Sequence, residues 1–261
     1  MTTAGSQLKT VRLKIMKILA IESSGLTASI AVADRDRLIA EYTIDYKKTH
    51  SQTLLPMLDE VRKMTELDLD TVDAIAISNG PGSFTGLRIG AATAKGLGFA
   101  LDKPLIEVPT LEALAYNLVG TDKAVFPIMD ARRNQVYTAG YTFVRNENEP
   151  SGYECVTLLA PTAIAIEELA DMVSGEDREV VFTGDGCPVY KDVLDRMLSG
   201  RAHSYAPFTQ SRQRAGSVAL AAFSYFEKGL TVSADDSHPE YLRLSQAERE
   251  LMEKKKADGE G

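Results

Sequence analysis

The residues best placed to do chemistry lie between Ile77 and Gly98. The apolar run Ala74-Ile75-Ala76-Ile77 ends in the turn Asn79-Gly80-Pro81-Gly82, so Ser83 or Thr85 can cap a helix whose free N–H groups are able to receive an anion. Gly86, Gly90, Ala94 and Gly98 then recur every fourth residue and fall in one stripe of that helix. A helical glycine costs roughly 1 kcal/mol relative to alanine. The stripe therefore has a use: it lets another backbone approach closely, either as packing inside the chain or across an interface.

Several chemistries are excluded by spacing. No Gly-Lys-Ser/Thr follows the turn, as a Walker A loop requires, and glycines at 80, 82 and 86 do not match the dinucleotide fingerprint. Ser83 is flanked by Pro81 and Thr85 where a hydrolase elbow needs two glycines. His50, His203 and His238 offer no paired spacing, and His50 opens a helix as a packing or capping residue. Cys155 and Cys187 show no CxxC spacing, and Cys187 reads as a small buried hydrophobe rather than a thiolate.

These residues need a scaffold, and the chain is long enough to build one. With 261 residues, 44% of them hydrophobic and 25% charged, it can fold as one large domain or two half-sized ones. Two cysteines point to a reducing cytoplasm, and no leading apolar segment reads as a signal peptide or membrane span. The balance of 29 Lys+Arg against 37 Asp+Glu, a formal −8, disfavours strong binding of a polyanion by this chain alone. Any RNA role would need a basic partner or a local patch.

The pattern predicts strands over 17–21, 27–33 and 37–44 as an antiparallel meander, a helix over 51–64, a strand over 74–78, the glycine-striped helix, and a strand over 105–108. Beyond Pro109 the order partly repeats: a helix over 111–118, strands over 124–129 and 135–143, a hydrophilic loop over 145–152, helices over 162–172, 189–198 and 216–227, and a strand over 179–182. Two α/β lobes joined near Pro109 fit this order. The expected divisions are a polar extension or mis-assigned start over 1–15, a first lobe over 16–108, a second lobe over 109–245, and a charged tail over 246–261. The helix over 51–64 carries two apolar faces, one with Leu54, Leu58 and Val61, the other with Thr53, Met57 and Met64. The second face suits an adaptable contact surface or burial within the lobe.

Several motifs occur in one order. They are Met16-Lys17-Ile18-Leu19-Ala20-Ile21-Glu22-Ser23-Ser24, His50-Ser51-Gln52-Thr53-Leu54-Leu55-Pro56-Met57, the run from Gly80 to Gly90, and Asp130-Ala131-Arg132-Arg133-Asn134-Gln135-Val136-Tyr137. Gly184-Asp185-Gly186 and Tyr241-Leu242-Arg243-Leu244-Ser245-Gln246-Ala247-Glu248 follow. Together they closely resemble the bacterial TsaB family, from Met16 to about Glu250.

The resemblance implies a two-lobed α/β fold of the ASKHA class (actin-like ATPase, Hsp70-like, sugar-kinase-like), with mixed sheets flanked by helices. It implies a place in the machinery that adds threonylcarbamoyl to N6 of adenosine 37 in tRNAs reading ANN codons. In that family TsaB dimerises with its paralogue TsaD, which holds the metal and the substrate adenylate, and the ATPase TsaE completes the complex. The paralogue places His-x-x-x-His where this sequence has Thr110-Leu111-Glu112-Ala113-Leu114, and a hydroxyl and an isobutyl group cannot replace two imidazoles. No metal site, no catalytic residue and no independent activity are expected here. A tightly bound cofactor is not expected either, and a nucleotide at the subunit junction is left open.

On this reading the partner interface comprises Thr53, Met57, Met64, Gly86, Gly90, Ala94 and Gly98. Two helices would pack against the same pair of TsaD, burying roughly 1,200 to 2,000 Å² in total, and a self-compatible surface predicts homodimers when the partner is absent. A relic phosphate cleft would comprise Glu22, Ser23, Gly80, Gly82, Ser83 and Asp130, with Arg132 and Arg133 solvated. The alternative within the same fold is an ATPase or phosphotransferase acting through Glu22 and Asp130. A peptidase finds no set of nucleophile, base and orienting residue.

Overall fold

The computed structural model describes residues 16–243. The expected N-terminal extension and charged tail lie outside the described residues, as does the end of the last motif, beyond Arg243. The first sheet is built from β1 (Lys17–Glu22), β2 (Ala28–Asp34), β3 (Arg37–Ile44), β4 (Ala74–Gly80) and β5 (Leu105–Pro109), in the order β3-β2-β1-β4-β5. The second sheet contains β6 (Ala124–Arg132), β7 (Gln135–Arg145), β8 (Tyr153–Ala165), β9 (Val180–Thr183) and β10 (His203–Tyr205), in the order β10-β9-β6-β7-β8.

Read from the other edge, the second order repeats the first. In each sheet the first three strands form an antiparallel meander. The last two join it in parallel on the far side of the first. One topology is thus used twice.

The helices are α1 (His50–Met64), α2 (Phe84–Leu101), α3 (Thr110–Ala115), α4 (Ile166–Ser174), α5 (Cys187–Met197) and α6 (Ala215–Glu227). Alternation along β1 and β4 decides which helices each face receives. Leu19, Ile21, Ile75 and Ile77 pack with Leu54, Met57, Leu58 and Val61 of α1 and with Ala91 and Ala94 of α2. On the opposite face Ile18, Ala20, Ala74 and Ala76 meet Val218, Ala219 and Ala222 of α6. That cluster continues through Leu111 and Leu114 of α3 into Val125, Met129 and Tyr141 of the second sheet, so α3 and α6 form a layer between the lobes. A third cluster covers the outer face of the second sheet with α4 and α5.

Three differences from the sequence reading have physical causes. Strand β8 was not expected, and the helix expected from 162 begins only at Ile166, because pairing with the long β7, Gln135 opposite Ala165, holds the segment extended. Strand β10 is three residues long, and its pairing with β9 leaves no periodicity to read. The segment expected to end the second lobe instead returns to the first: α6 packs on the first sheet, and Val232 bridges to Leu105 at the edge of β5.

Helix α2 sits close to the sheet because its stripe is glycine at 86, 90 and 98 and only alanine at 94. A Cβ on Gly86 would lie 2.1 Å from the Ser23 carbonyl oxygen, and one on Gly90 would lie 2.1 Å from Ser23 Oγ. Gly96, on the opposite side of the same helix, faces open space. Two substitutions should therefore move stability in opposite directions. Gly86→Ala is expected to cost about 1–3 kcal/mol by overpacking, whereas Gly96→Ala is expected to gain up to about 1 kcal/mol from helix propensity. Chemical denaturation of the two variants measures both.

Candidate functional site

The turn after β4, from Pro81, and the start of α2 face the second lobe across a cleft of about 610 Å³. Ser83 caps α2 through its side-chain oxygen, which accepts from Gly86 N–H, and its own N–H donates to the Ser24 carbonyl at 2.7 Å. Opposite stand Asp130, at the end of β6, and Asp185, in the turn between β9 and α5. Asp130 is exposed and accepts hydrogen bonds from Arg132 N–H and the Tyr190 hydroxyl, each at 2.9 Å. Partial burial pushes the Asp185 carboxyl above its usual range. Arg132 and Arg133 are exposed at the hairpin tip.

Of the expected relic cleft, Gly82, Ser83 and Asp130 line this space. Glu22, Ser23 and Gly80 do not, and that part of the expectation is corrected. Glu22 is 1% exposed and its Oε1 accepts from the backbone N–H and the hydroxyl of Ser24, both at 2.6 Å. Ser23 is buried and donates to the Gly86 carbonyl at 2.9 Å. Gly80 is covered by the Glu240 carbonyl. The packing of Ser23 and Ser24 against α2 and the chain segment over Gly80 wall these groups off. Glu22 and Asp130 thus do not share one accessible site, which removes the geometric basis for phosphotransfer through the pair.

The expected interface residues are corrected more severely. Gly86, Gly90, Ala94 and Gly98 are buried against the chain itself; at Gly98 the neighbours are Leu105 and Ala234. Thr53 and Met57 also turn inward, Met57 being 2% exposed, and of that face only Met64 remains in solvent at 78%. The stripe serves packing of α2 on its own sheet. What α1 and α2 offer outward is a different surface, in which Leu55, Ala92, Gly96 and Phe99 are exposed, Phe99 at 58%. The sequence signal for it is a second small-residue spacing, Ala92 and Gly96, half a turn from the one first noticed.

Thr110, at the start of α3, and Leu114, near its end, are both buried. The Thr110 hydroxyl accepts the Gly80 N–H at 3.1 Å, and Leu114 belongs to the core between the lobes. A hydroxyl already engaged with backbone and a hydrocarbon do not fit a divalent cation, and no cluster of three metal-binding side chains exists among the described residues. His50 packs near Gly86 and its Nε2 lies 3.0 Å from the Gly25 carbonyl; Thr49, not His50, occupies the cap position of α1. Burial pushes the Cys187 thiol up to about 12, the behaviour of a packed side chain rather than a nucleophile. No helix among the described residues is long and apolar enough to cross a membrane.

Two lobes of identical strand order, packed through an α3/α6 layer and facing each other across a cleft, define an ASKHA fold. The model of the family described as TsaD, tRNA N6-adenosine threonylcarbamoyltransferase, matches residues 37–251. A Bacillus subtilis protein named tRNA threonylcarbamoyladenosine biosynthesis protein TsaB is 32% identical over 244 residues, 92% of this chain and 100% of that protein. Its Escherichia coli namesake is 30% identical over 247 residues, 90% and 98% of the two chains. The solved structure of YeaZ from Pseudomonas aeruginosa superposes with a TM-score of 0.74 at 26% identity, over 87% of this chain and all of that one. This chain belongs to the TsaB family of tRNA threonylcarbamoyladenosine biosynthesis proteins.

The buried carboxyl has a measurable consequence. Desolvation raises the Glu22 pKa above the ordinary glutamate range, outweighing the hydrogen bonds from Ser24 that lower it. The folded state therefore holds this proton at pH values where the unfolded chain has released it. The associated stability is full below the unfolded pKa and is lost as pH rises through the folded one. Glu22→Gln, which keeps the acceptor for Ser24, is expected to flatten this decline in denaturation curves taken between pH 4 and pH 8.

Proposed function

We propose that this chain is the non-catalytic subunit of the threonylcarbamoyl-transferring machinery. It docks the catalytic paralogue TsaD through the outward faces of α1 and α2, with TsaE joining through that complex and tRNA contacted only indirectly. The observation that carries the reading is the state of the two positions where the paralogue has imidazoles. Thr110 is tied to the Gly80 amide and Leu114 is buried in hydrocarbon, which supports chemistry supplied by another polypeptide.

Leu55 and Met64 of α1 and Phe99 of α2 are exposed, as are the small residues Ala92 and Gly96 of α2. Small side chains let a partner helix approach, and the larger ones supply apolar area to bury. Because the surface lies on two adjacent helices of one lobe, a second copy can present the same pair, which supports homodimers when TsaD is absent.

The test uses a residue whose change leaves the fold alone. Gly96→Arg places a charge in open space and is expected to weaken association with TsaD by about 100-fold or more, with a thermal midpoint no lower than that of the wild type. Size exclusion and titration calorimetry read the association. Threonylcarbamoylation of tRNA by the reconstituted proteins is expected to fall in parallel, whereas the isolated chain shows no turnover. Wild-type affinity in Gly96→Arg, or turnover by the isolated chain that Asp130→Ala abolishes, refutes the assignment.

A further inference from the structure

The interlobe cleft is lined in part by the chain's own residues 240–243. The preceding segment is fastened to the first lobe. The Ser237 hydroxyl and His238 N–H donate to Glu107 Oε1 at 2.8 and 2.9 Å, and Lys95 Nζ of α2 donates to the carbonyls of Asp235 and Ser237. Glu240 N–H donates to the Asn79 carbonyl at 2.8 Å, and the Glu240 carbonyl rests on Gly80, leaving no room there for a side chain. Gly80 is in turn held from the other side by Thr110.

Beyond Glu240 the segment crosses the cleft mouth. The Tyr241 ring lies 4.9 Å from that of Phe84, at the start of α2. The Arg88 guanidinium sits 3.8 Å above the same Phe84 ring and donates to the Tyr241 hydroxyl at 3.2 Å. Two residues on, Arg243 reaches the second lobe and donates to the Ala131 carbonyl at 3.0 Å, beside Asp130. A single stretch of seven residues, counting 237 to 243, therefore contacts β4, β5 and α2 in one lobe and the end of β6 in the other.

We propose that residues 237–243 are an intramolecular strap that occupies the mouth of the interlobe cleft and latches the two lobes across it. The polar groups at the start of α2 and at Asp130 face this segment, so the chain is its own occupant of the cleft. Arg88 and Lys95, which hold the strap, belong to the helix that also carries the outward surface with Ala92 and Gly96. The inference goes beyond the partner assignment and does not need it.

Hydrogen–deuterium exchange on the full chain tests it. Tyr241→Ala/Arg243→Ala removes the ring stack and the bond to the second lobe. Amide exchange is expected to accelerate tenfold or more both at 82–85 and at 131–135, while β1 and β6 interiors stay protected. Wild-type exchange at 131–135 overturns the proposal, whatever happens at 82–85, because a latch must release both sides. If the double variant loses protection throughout β1 and β6, Arg243→Ala alone decides. It removes only the contact to the Ala131 carbonyl, and at least threefold faster exchange at 131–135 supports the latch, whereas no change there overturns it.

Discussion

The close approach of α2 to the first sheet is the constraint on which the rest depends. With only hydrogen atoms at Gly86 and Gly90, the helix settles against the Ser23-Ser24 corner, and Ser23 both fills the space and donates to the Gly86 carbonyl. That contact fixes the start of α2 next to the end of β1, and Ser83 N–H bonded to the Ser24 carbonyl completes the junction. The depth of α2 then sets how α1 packs beside it and which of their residues remain outside. A stripe that looks from the sequence like an opening for a partner is the means by which the helix reaches its own sheet.

A second close approach joins the lobes. The face of the first sheet turned toward α6 is rich in alanine, at 20, 31, 33, 74 and 76, while the face toward α1 and α2 carries leucine and isoleucine. Small residues on the inner face let α6 lie flat, and α6 itself contributes Ala219, Ala221 and Ala222. The chain thereby crosses back from the second lobe to the first, and two sheets of the same strand order share one interior layer. The cleft is the space left at the edge of that layer, where the turns after β4, β6 and β9 meet.

The polar groups around this cleft are mostly engaged with the chain itself. Thr110 holds Gly80, Ser24 satisfies one oxygen of Glu22, and Tyr190 and Arg132 share Asp130. Glu22, at the end of a strand where a catalytic acid would be useful, is instead buried, and its raised pKa favours the neutral acid. The glycine turn and the capped helix line the cleft together with residues 240–243.

Much of the scaffold was legible without coordinates. Alternation in 17–21, 27–33 and 37–44, the cap at Ser83 and the repeat of element order after Pro109 are local signals, set by backbone geometry and hydrophobic period. The absence of imidazoles at Thr110 and Leu114 is likewise a property of residue type. Which side of α2 faces outward could not be read, because Gly86 and Gly96 are both small and only the position of the sheet distinguishes a filled stripe from an open one. The return of α6 and the strap across the cleft depend on contacts between residues more than a hundred positions apart, such as Arg88 with Tyr241 and Ala131 with Arg243. Sequence determined the elements and the residue types at positions 110 and 114; packing decided which surfaces face outward, since exposure is a relation between segments and not a property of any one of them.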